Sequence, residues 1–201
     1  MKRVVFIEGL PGSGKTTLAK HLCEVERLAG HASEWHLEEA ADHPVHPHAL
    51  SARKAHDDFP FRCLQSWQRF ADRTRSEDTL HILEGSAFQS TVRFMLEQDR
   101  EGIAGYFAHF EEIVSPLQPS FIYLRPVDAV AHSQATASFR GPNWTRKVAA
   151  YIEQTPYARR RGLRGEAGMH RFWADYAQVC DALVAQLGMP VTPIAPAPHP
   201  R

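Results

Sequence analysis

Short apolar runs alternate along the chain with longer segments whose apolar residues recur every three or four positions. The short runs predict strands buried on both faces of a sheet, at Lys2–Glu8, His31–Leu37, Thr79–Leu83, Ser120–Leu124 and Met189–Ile194. The periodic segments predict helices at Lys15–Ala29, Ala49–Asp58, Pro60–Arg75, Thr91–Gln98, Ile103–Leu117, from residue 127 to Phe139, and at Glu166–Leu187. This alternation predicts an α/β fold of three layers, α/β/α, around a five-stranded parallel sheet.

The spacing also predicts which helical faces are buried. The first helix is expected to bury Leu18, Leu22, Val25 and Ala29. The helix after Pro60 is expected to bury Phe61, Leu64, Trp67 and Ala71.

The first apolar run leads into Glu8-Gly9-Leu10-Pro11-Gly12-Ser13-Gly14-Lys15-Thr16-Thr17, which contains the Walker A spacing, or P-loop. Glycines let the backbone wrap closely round a phosphate, and successive backbone N–H groups form an anion-binding nest at the start of a helix. Lys15 is expected to reach the β- and γ-phosphates, and the Thr16 hydroxyl to bind Mg²⁺. We therefore predict a P-loop NTPase fold that binds ATP and Mg²⁺ through Gly9, Pro11, Gly12, Ser13, Gly14, Lys15, Thr16 and Thr17.

Composition narrows the class of protein. The chain has 201 residues, enough for one domain over 1–194 with a disordered, proline-rich tail at 195–201. Its 23 basic and 23 acidic residues balance, which gives no indication of a nucleic-acid or membrane partner. The three cysteines lack metal-binding spacing, and neither a membrane span nor a signal peptide is predicted. We expect a cytoplasmic protein, with a homodimer left open.

A carboxylate is predicted at the edge of the sheet where the strands end, because ligands of parallel α/β sheets bind there. Glu84 follows the third strand and is expected to bind Mg²⁺ or to accept a proton from the attacking hydroxyl, although a capping role is the alternative. Glu8, directly before the P-loop, is expected either to contact substrate or to brace the loop.

The segment between the fourth strand and the last helix is basic and is broken by Gly141-Pro142 and Pro156. Mobile arginines that close over a transferring phosphoryl group lower the barrier to transfer, so we predict an arginine-rich lid at about 138–165, with Arg140 as the first catalytic candidate. A solvated basic face and a nucleic-acid patch at 159–164 are the alternatives.

The acceptor is expected to lie among Asp42 and His43, the helix from Phe59 to Trp67, and the pair Phe88 and Gln89. Aromatic rings there could stack on a base while the amide of Gln89 bonds to its edge. The histidine-rich loop, with His43, His46 and His48, is interpreted as a polar loop, with a metal site as the alternative.

The P-loop, with a glutamate directly before its first glycine, resembles that of thymidylate kinases and deoxynucleoside kinases. Glu84-Gly85-Ser86 resembles the Glu-Arg-Ser motif of deoxynucleoside kinases, with Gly85 in place of the arginine. The resemblance implies that Glu84 is the general base toward a sugar hydroxyl, and that a lid rich in arginine precedes the last helix. The fourth strand ends in Arg125, where many members of the family have an aspartate.

Together these features predict an ATP-dependent kinase that phosphorylates a nucleoside, a nucleotide or a similar small-molecule acceptor. Two alternatives remain at this stage: an ATP-hydrolysing switch and a polynucleotide-binding P-loop protein. The Asn-Lys-x-Asp motif of GTPases does not occur in the sequence.

Overall fold

A single parallel sheet forms the centre of the fold. The computed structural model describes residues 4–46 and 48–196. The strands, numbered β1 to β5, are Val4–Gly9, Ser33–His36, Leu80–Glu84, Ser120–Leu124 and Val191–Ile194. They pair in the order β2-β3-β1-β4-β5, and every pair is parallel. The predicted α/β class and the five-stranded parallel sheet are confirmed.

Helices cover both faces of this sheet. The α-helices described, α1 to α9, are Lys15–Leu28, His48–Ser51, Phe59–Thr74, Arg93–Glu97, Ile103–Val114, Ala129–Arg140, Pro142–Glu153, Pro156–Arg161 and Gly165–Val184. A π-helical segment, Phe88–Val92, precedes α4, and a 3₁₀ turn, Ser115–Leu117, follows α5. Among the residues described, no helix is long and apolar enough to cross a membrane. The end of the predicted tail, from residue 197, lies outside the described residues.

The central strand β1 is buried along its whole length because helices pack on both of its faces. On one face, Val5 and Ile7 form a small cluster with Ala19 and Cys23 of α1. On the other face the Phe6 ring contacts the rings of Trp67, Phe110 and Phe121, with centroid distances of 5.7, 5.4 and 5.9 Å. This arrangement brings the carboxyl ends of β1 and β3 together at one edge, as the sequence predicts.

The predicted buried face of α1 is right only in part: Leu18 and Leu22 are partly buried and pack against this small cluster. Ala19 and Cys23 are the fully buried apolar residues, whereas Val25 is 45% exposed and Ala29 is exposed. Lys15 lies on the same face because its side chain turns into the P-loop. Small residues one and two turns later let the helix approach the sheet closely.

Two further predictions are corrected. In α3, Phe61 is 62% exposed, and Cys63 and Phe70 are buried alongside the predicted Trp67. The sequence predicts that the prolines at 142 and 156 interrupt regular structure, but they are the first residues of α7 and α8. Proline is favoured in a first helical turn because it has no N–H and its φ is fixed.

Candidate functional site

The P-loop joins β1 to α1 as a turn in which glycines are required. Gly12 and Gly14 have φ of 78° and 94°, in the left-handed region. At Gly9 an added Cβ would lie 2.6 Å from the Leu124 carbonyl oxygen of the neighbouring strand. Gly14 caps α1 without a side-chain hydrogen bond, so the first N–H groups of the helix remain available to an anion.

Lys15 and Thr16 face the inside of this loop. The Lys15 ammonium donates hydrogen bonds to the carbonyl oxygens of Gly9 and Leu10, at 3.2 and 3.1 Å. The Thr16 hydroxyl lies 3.1 Å from both carboxylate oxygens of Glu84. The two residues predicted to bind magnesium are therefore in direct contact, and their hydroxyl and carboxylate oxygens are ligands that suit Mg²⁺.

A second carboxylate, Glu38, lies beside Glu84. The Glu38 backbone N–H donates to Glu84 Oε1 at 3.4 Å, and the Glu38 carboxylate lies 3.8 Å from Arg93. Burial raises the pKa of the Glu38 carboxyl to about 7, and the charge of Glu84 adds to this, although Arg93 and Lys15 oppose it. A carboxyl group with this pKa exchanges a proton readily near neutral pH.

Arg93 is the positive charge beside these carboxylates. Its guanidinium lies 3.2 Å from Glu97 Oε1 and donates to the Gln89 carbonyl oxygen at 3.1 Å. Burial works against the charged form, but the carboxylates of Glu97 and Glu38 outweigh it and raise the pKa of Arg93. The guanidinium is therefore a fixed positive charge that is shared between two carboxylates.

The surroundings of Gly85 leave no room for a side chain. Its φ is +64°, and an added Cβ would lie 2.6 Å from Glu38 Oε2. The Glu38 carboxylate therefore occupies the space that a side chain at position 85 would need.

Glu8 is fully buried beneath the P-loop. Its Oε1 accepts a hydrogen bond from the Ala87 backbone N–H at 2.6 Å, and its Oε2 has no hydrogen-bond partner among the residues that the structure describes. Burial raises the pKa of the Glu8 carboxyl to about 8, because the Ala87 bond and the Lys15 charge do not compensate for the lost hydration. The bond to Ala87 ties the P-loop to the turn after β3, which favours the bracing role over contact with substrate.

A cleft of about 1080 Å³ opens over these groups. It is lined by the P-loop from Pro11 to Thr17, by Glu38, Glu39, Glu84, Gln89 and Arg93, and by Arg140 and Lys147. The cleft thus brings together most of the predicted nucleotide-binding residues with Glu84, Gln89 and Arg140. Gln89 is 7% exposed, and within the described part of the chain its Oε1 has no hydrogen-bond partner.

Three predicted acceptor residues do not line this cleft. Phe88 is fully buried, and its ring packs against Phe107 and Phe121. His43 is buried, with Nδ1 accepting from the N–H groups of Val45 and His46. Asp42 is exposed outside the cleft.

The aromatic residues that line the cleft belong to other elements than the predicted ones. Phe59 and Trp67 are buried in the core. The cleft-lining rings are Phe139, Trp144, Tyr151 and Trp173, from α6, α7 and α9.

The basic segment divides into residues that face the cleft and residues that do not. Arg140 and Lys147 line the cleft. Arg160 and Arg161 instead bind the Asp99 carboxylate at 2.6 and 2.7 Å. A lid acting through the whole arginine cluster thus remains a prediction, with Arg140 as its best-placed member.

Comparison with known proteins shows similarity to solved structures in fold, but no similarity to a family model or to a curated protein in sequence. No family model matches the sequence, and no curated protein matches it. A deoxyadenosine kinase from M. mycoides, solved with bound dATP, aligns over 96% of this chain and 90% of its own with a TM-score of 0.49 and 14% identity. In fold, the chain is similar to this kinase. The YorR protein of Bacillus subtilis, in complex with phosphorylated GDP, aligns over 96% of this chain and 85% of its own, with a TM-score of 0.47 and 10% identity. At these identities the likeness concerns the arrangement of helices and strands.

Sequence reasoning missed Glu38 and Arg93. Glu38 lies two residues beyond the end of β2 and Glu84 is the last residue of β3, so the rule that selects carboxylates near strand ends would have found Glu38 too. Arg93 and Glu97 are the first and last residues of α4, with three apolar residues between them, and they pair four positions apart. Two opposite charges at this spacing in an otherwise apolar helix indicate a buried ion pair.

Proposed function

We propose that the protein transfers the γ-phosphoryl group of MgATP to a hydroxyl group on a small acceptor the size of a nucleoside. The observation that carries this proposal is the contact between the hydroxyl of Thr16, in the P-loop, and both carboxylate oxygens of Glu84, at the end of β3. This contact supports a magnesium position at the phosphate end of the cleft. Mg²⁺, when bound with ATP, would neutralise charge on the β- and γ-phosphates.

The P-loop residues hold the donor. The open N–H groups at the start of α1 would bind the phosphates, and the Lys15 ammonium would exchange its two carbonyl partners for phosphate oxygens. The charged ammonium then stabilises the negative charge on the transferring group. Arg140, which lines the same cleft, would add a second positive charge from the lid side.

The two strand-end carboxylates have different roles in this proposal. Glu84 engages the Thr16 hydroxyl with both oxygens and belongs to the metal side. Glu38 lines the cleft and has a pKa near 7, so it is matched to accept the proton of the attacking hydroxyl at neutral pH. We therefore assign the general base to Glu38, where the family resemblance points to Glu84.

The charge at this end of the cleft favours a hydroxyl acceptor over a phosphate acceptor. Glu38, Glu39 and Glu84 all line the cleft there, and Arg93 is already paired with Glu97 and Glu38. Two like unit charges about 6 Å apart repel by roughly 3 kcal/mol at an effective dielectric constant near 20, so a dianionic phosphate would be repelled by these carboxylates. The unpartnered Gln89 Oε1 offers a hydrogen-bond acceptor to a neutral ligand.

The test is phosphate transfer from labelled MgATP to a panel of nucleosides, nucleoside monophosphates and hydroxyl-bearing antibiotics. We expect labelled product from at least one hydroxyl acceptor, none from the monophosphates, and loss of product in Lys15→Ala. Lys20→Ala, an exposed lysine on the same helix, is the matched control and should retain activity.

Two results would overturn parts of the proposal. Transfer to a monophosphate would refute the acceptor assignment and leave the kinase assignment intact. Release of label only as inorganic phosphate across the panel would refute the kinase and favour an ATP-hydrolysing switch.

A further inference from the structure

Three potential metal ligands lie together on one face of the sheet, at its β2 edge. In the β2–β3 register Glu34 pairs with His81, so their side chains share a face, and His36 lies on the same face two residues along β2. The ligand atoms of the three side chains all lie within 4.8 Å of one another. These residues, Glu34, His36 and His81, form what we call the edge histidine site.

His81 is held in the tautomer that a metal ligand needs. Its Nε2 lies 2.7 Å from the Glu77 carboxylate, so this nitrogen carries the proton and donates it. The other nitrogen, Nδ1, therefore presents its lone pair to the site. A carboxylate that orients a histidine in this way is the usual outer partner of a metal-bound imidazole.

His36 completes the pair of nitrogen ligands. Its Nε2 lies 3.1 Å from His81 Nδ1, and the two ring planes are nearly parallel, 18° apart. Two nitrogens bound to one tetrahedral zinc ion, each at about 2.05 Å, are about 3.3 Å apart, so the nitrogens are already at nearly the required separation. Metal binding would replace their hydrogen bond and turn the half-buried His36 ring.

We propose that the edge histidine site binds a divalent transition metal ion, of which Zn²⁺ is the best match, through His36, His81 and Glu34. Two imidazoles and one carboxylate form a donor set that suits zinc, and the exposure of Glu34 leaves a fourth position for water. This site lies apart from Thr16 and Glu84 and does not depend on the kinase proposal.

The charges round the site are suited to a cation. Glu34 and Glu77 contribute two carboxylates, and Asp42 lies near enough to influence His36. Arg73 carries a positive charge that opposes cation binding, and its Nε lies 3.6 Å from Oε1 of Glu77.

The test is calorimetric titration of the full, chelator-treated chain with ZnCl₂ in excess Mg²⁺, which occupies the harder oxygen site. Titration with Co²⁺ adds the visible absorption of tetrahedral coordination. We expect one Zn²⁺ per chain and at least tenfold weaker binding in His81→Gln, His36→Gln and Glu34→Gln. Glu77→Gln, which weakens the contact that orients His81 and also removes the carboxylate that pairs with Arg73, should weaken binding by about 10- to 100-fold.

His109→Gln is the matched control, because this exposed histidine on α5 lies outside the site and should leave binding unchanged. Glu34→Gln keeps the test valid if the histidine variants misfold, because Glu34 is exposed and its substitution should not disturb folding. The proposal fails if the wild-type chain binds no Zn²⁺ at micromolar concentrations. It fails equally if Glu34→Gln and His81→Gln, both folded by circular dichroism, bind as wild type does.

Discussion

Replacing Glu38 by glutamine separates a catalytic from a structural role for this carboxylate. Glutamine keeps the size of the side chain and removes its ability to accept a proton. If Glu38 is the general base, Glu38→Gln should lower kcat by about 10²- to 10⁴-fold, the usual contribution of general base catalysis. Glu39→Gln, a neighbouring exposed carboxylate in the same cleft, is the control and should change kcat by less than about threefold.

The pH dependence follows from the same carboxyl group. A general base must be unprotonated to act, and the pKa of Glu38 is about 7. In the wild type, kcat/KM should therefore rise with pH to a plateau above pH 7, and lie about 100-fold below the plateau at pH 5. This fall in kcat/KM below pH 7, the acidic limb of the profile, should be absent from the residual activity of Glu38→Gln.

The free energy of unfolding should fall as the pH rises, whereas kcat/KM increases. The folded state raises the pKa of Glu38 from 4.5 to about 7, so ionisation of this group destabilises the folded state as the pH rises through this range. Above pH 7 the cost is on the order of 3 kcal/mol, and below pH 4.5 it is absent. Glu38→Gln does not ionise, so its free energy of unfolding relative to wild type should increase by about that amount between pH 4.5 and pH 8.

Urea unfolding at the two pH values and the pH profile of kcat/KM together test this reasoning. A variant that is more stable at pH 8 but far less active is the signature of a strained catalytic group. Retention of more than a tenth of wild-type kcat, or persistence of the acidic limb, would refute the assignment of the base to Glu38.

Three further variants test the rest of the site. Arg140→Ala should lower kcat much more than it weakens ATP binding, whereas Arg146→Ala, outside the cleft, should change neither, and equal losses in kcat and ATP affinity would contradict a transition-state role. Gly85→Ala should cost roughly 1–2 kcal/mol in urea unfolding and also reduce kcat by displacing the proposed general base. Gly102→Ala, at a similarly left-handed φ of +77° but with open space round it, should reduce stability alone. Arg93→Met should destabilise by about 3–5 kcal/mol and shift the acidic limb of kcat/KM to higher pH, and an unchanged limb would show that the guanidinium does not act on the base.

The sequence predicts what depends on local chemistry. The P-loop is set by glycine positions within ten residues, and β4 is predicted with its observed bounds because an apolar run between turn residues is a local pattern. Glu84 and Gln89 are found in the cleft because the ends of parallel strands meet at one edge.

What the sequence did not predict depends on packing between distant elements. The buried face of α1 is decided by the position of the P-loop, which requires Lys15 to turn inward, and apolar periodicity carries no information about this. Phe88 resembles a cleft residue because it follows Glu84 closely. The π-helical turn that begins at Phe88 directs its ring into the core against α5 instead.

The position of Arg93, together with the space that Gly85 leaves, sets the basicity that we propose for Glu38. A guanidinium next to Glu38 would favour its charged form strongly and leave a weak base. Arg93 instead reaches the site from α4, with 3.2 Å to Glu97 and 3.8 Å to Glu38, so its charge is divided between them in favour of Glu97. Burial then dominates the remaining balance and keeps the pKa of Glu38 near neutrality, while Gly85 leaves the space that the carboxylate needs. Glycine at 85, arginine at 93 and glutamate at 38 are therefore interdependent, and Gly85→Arg should displace the Glu38 carboxylate from the position that we propose for the base.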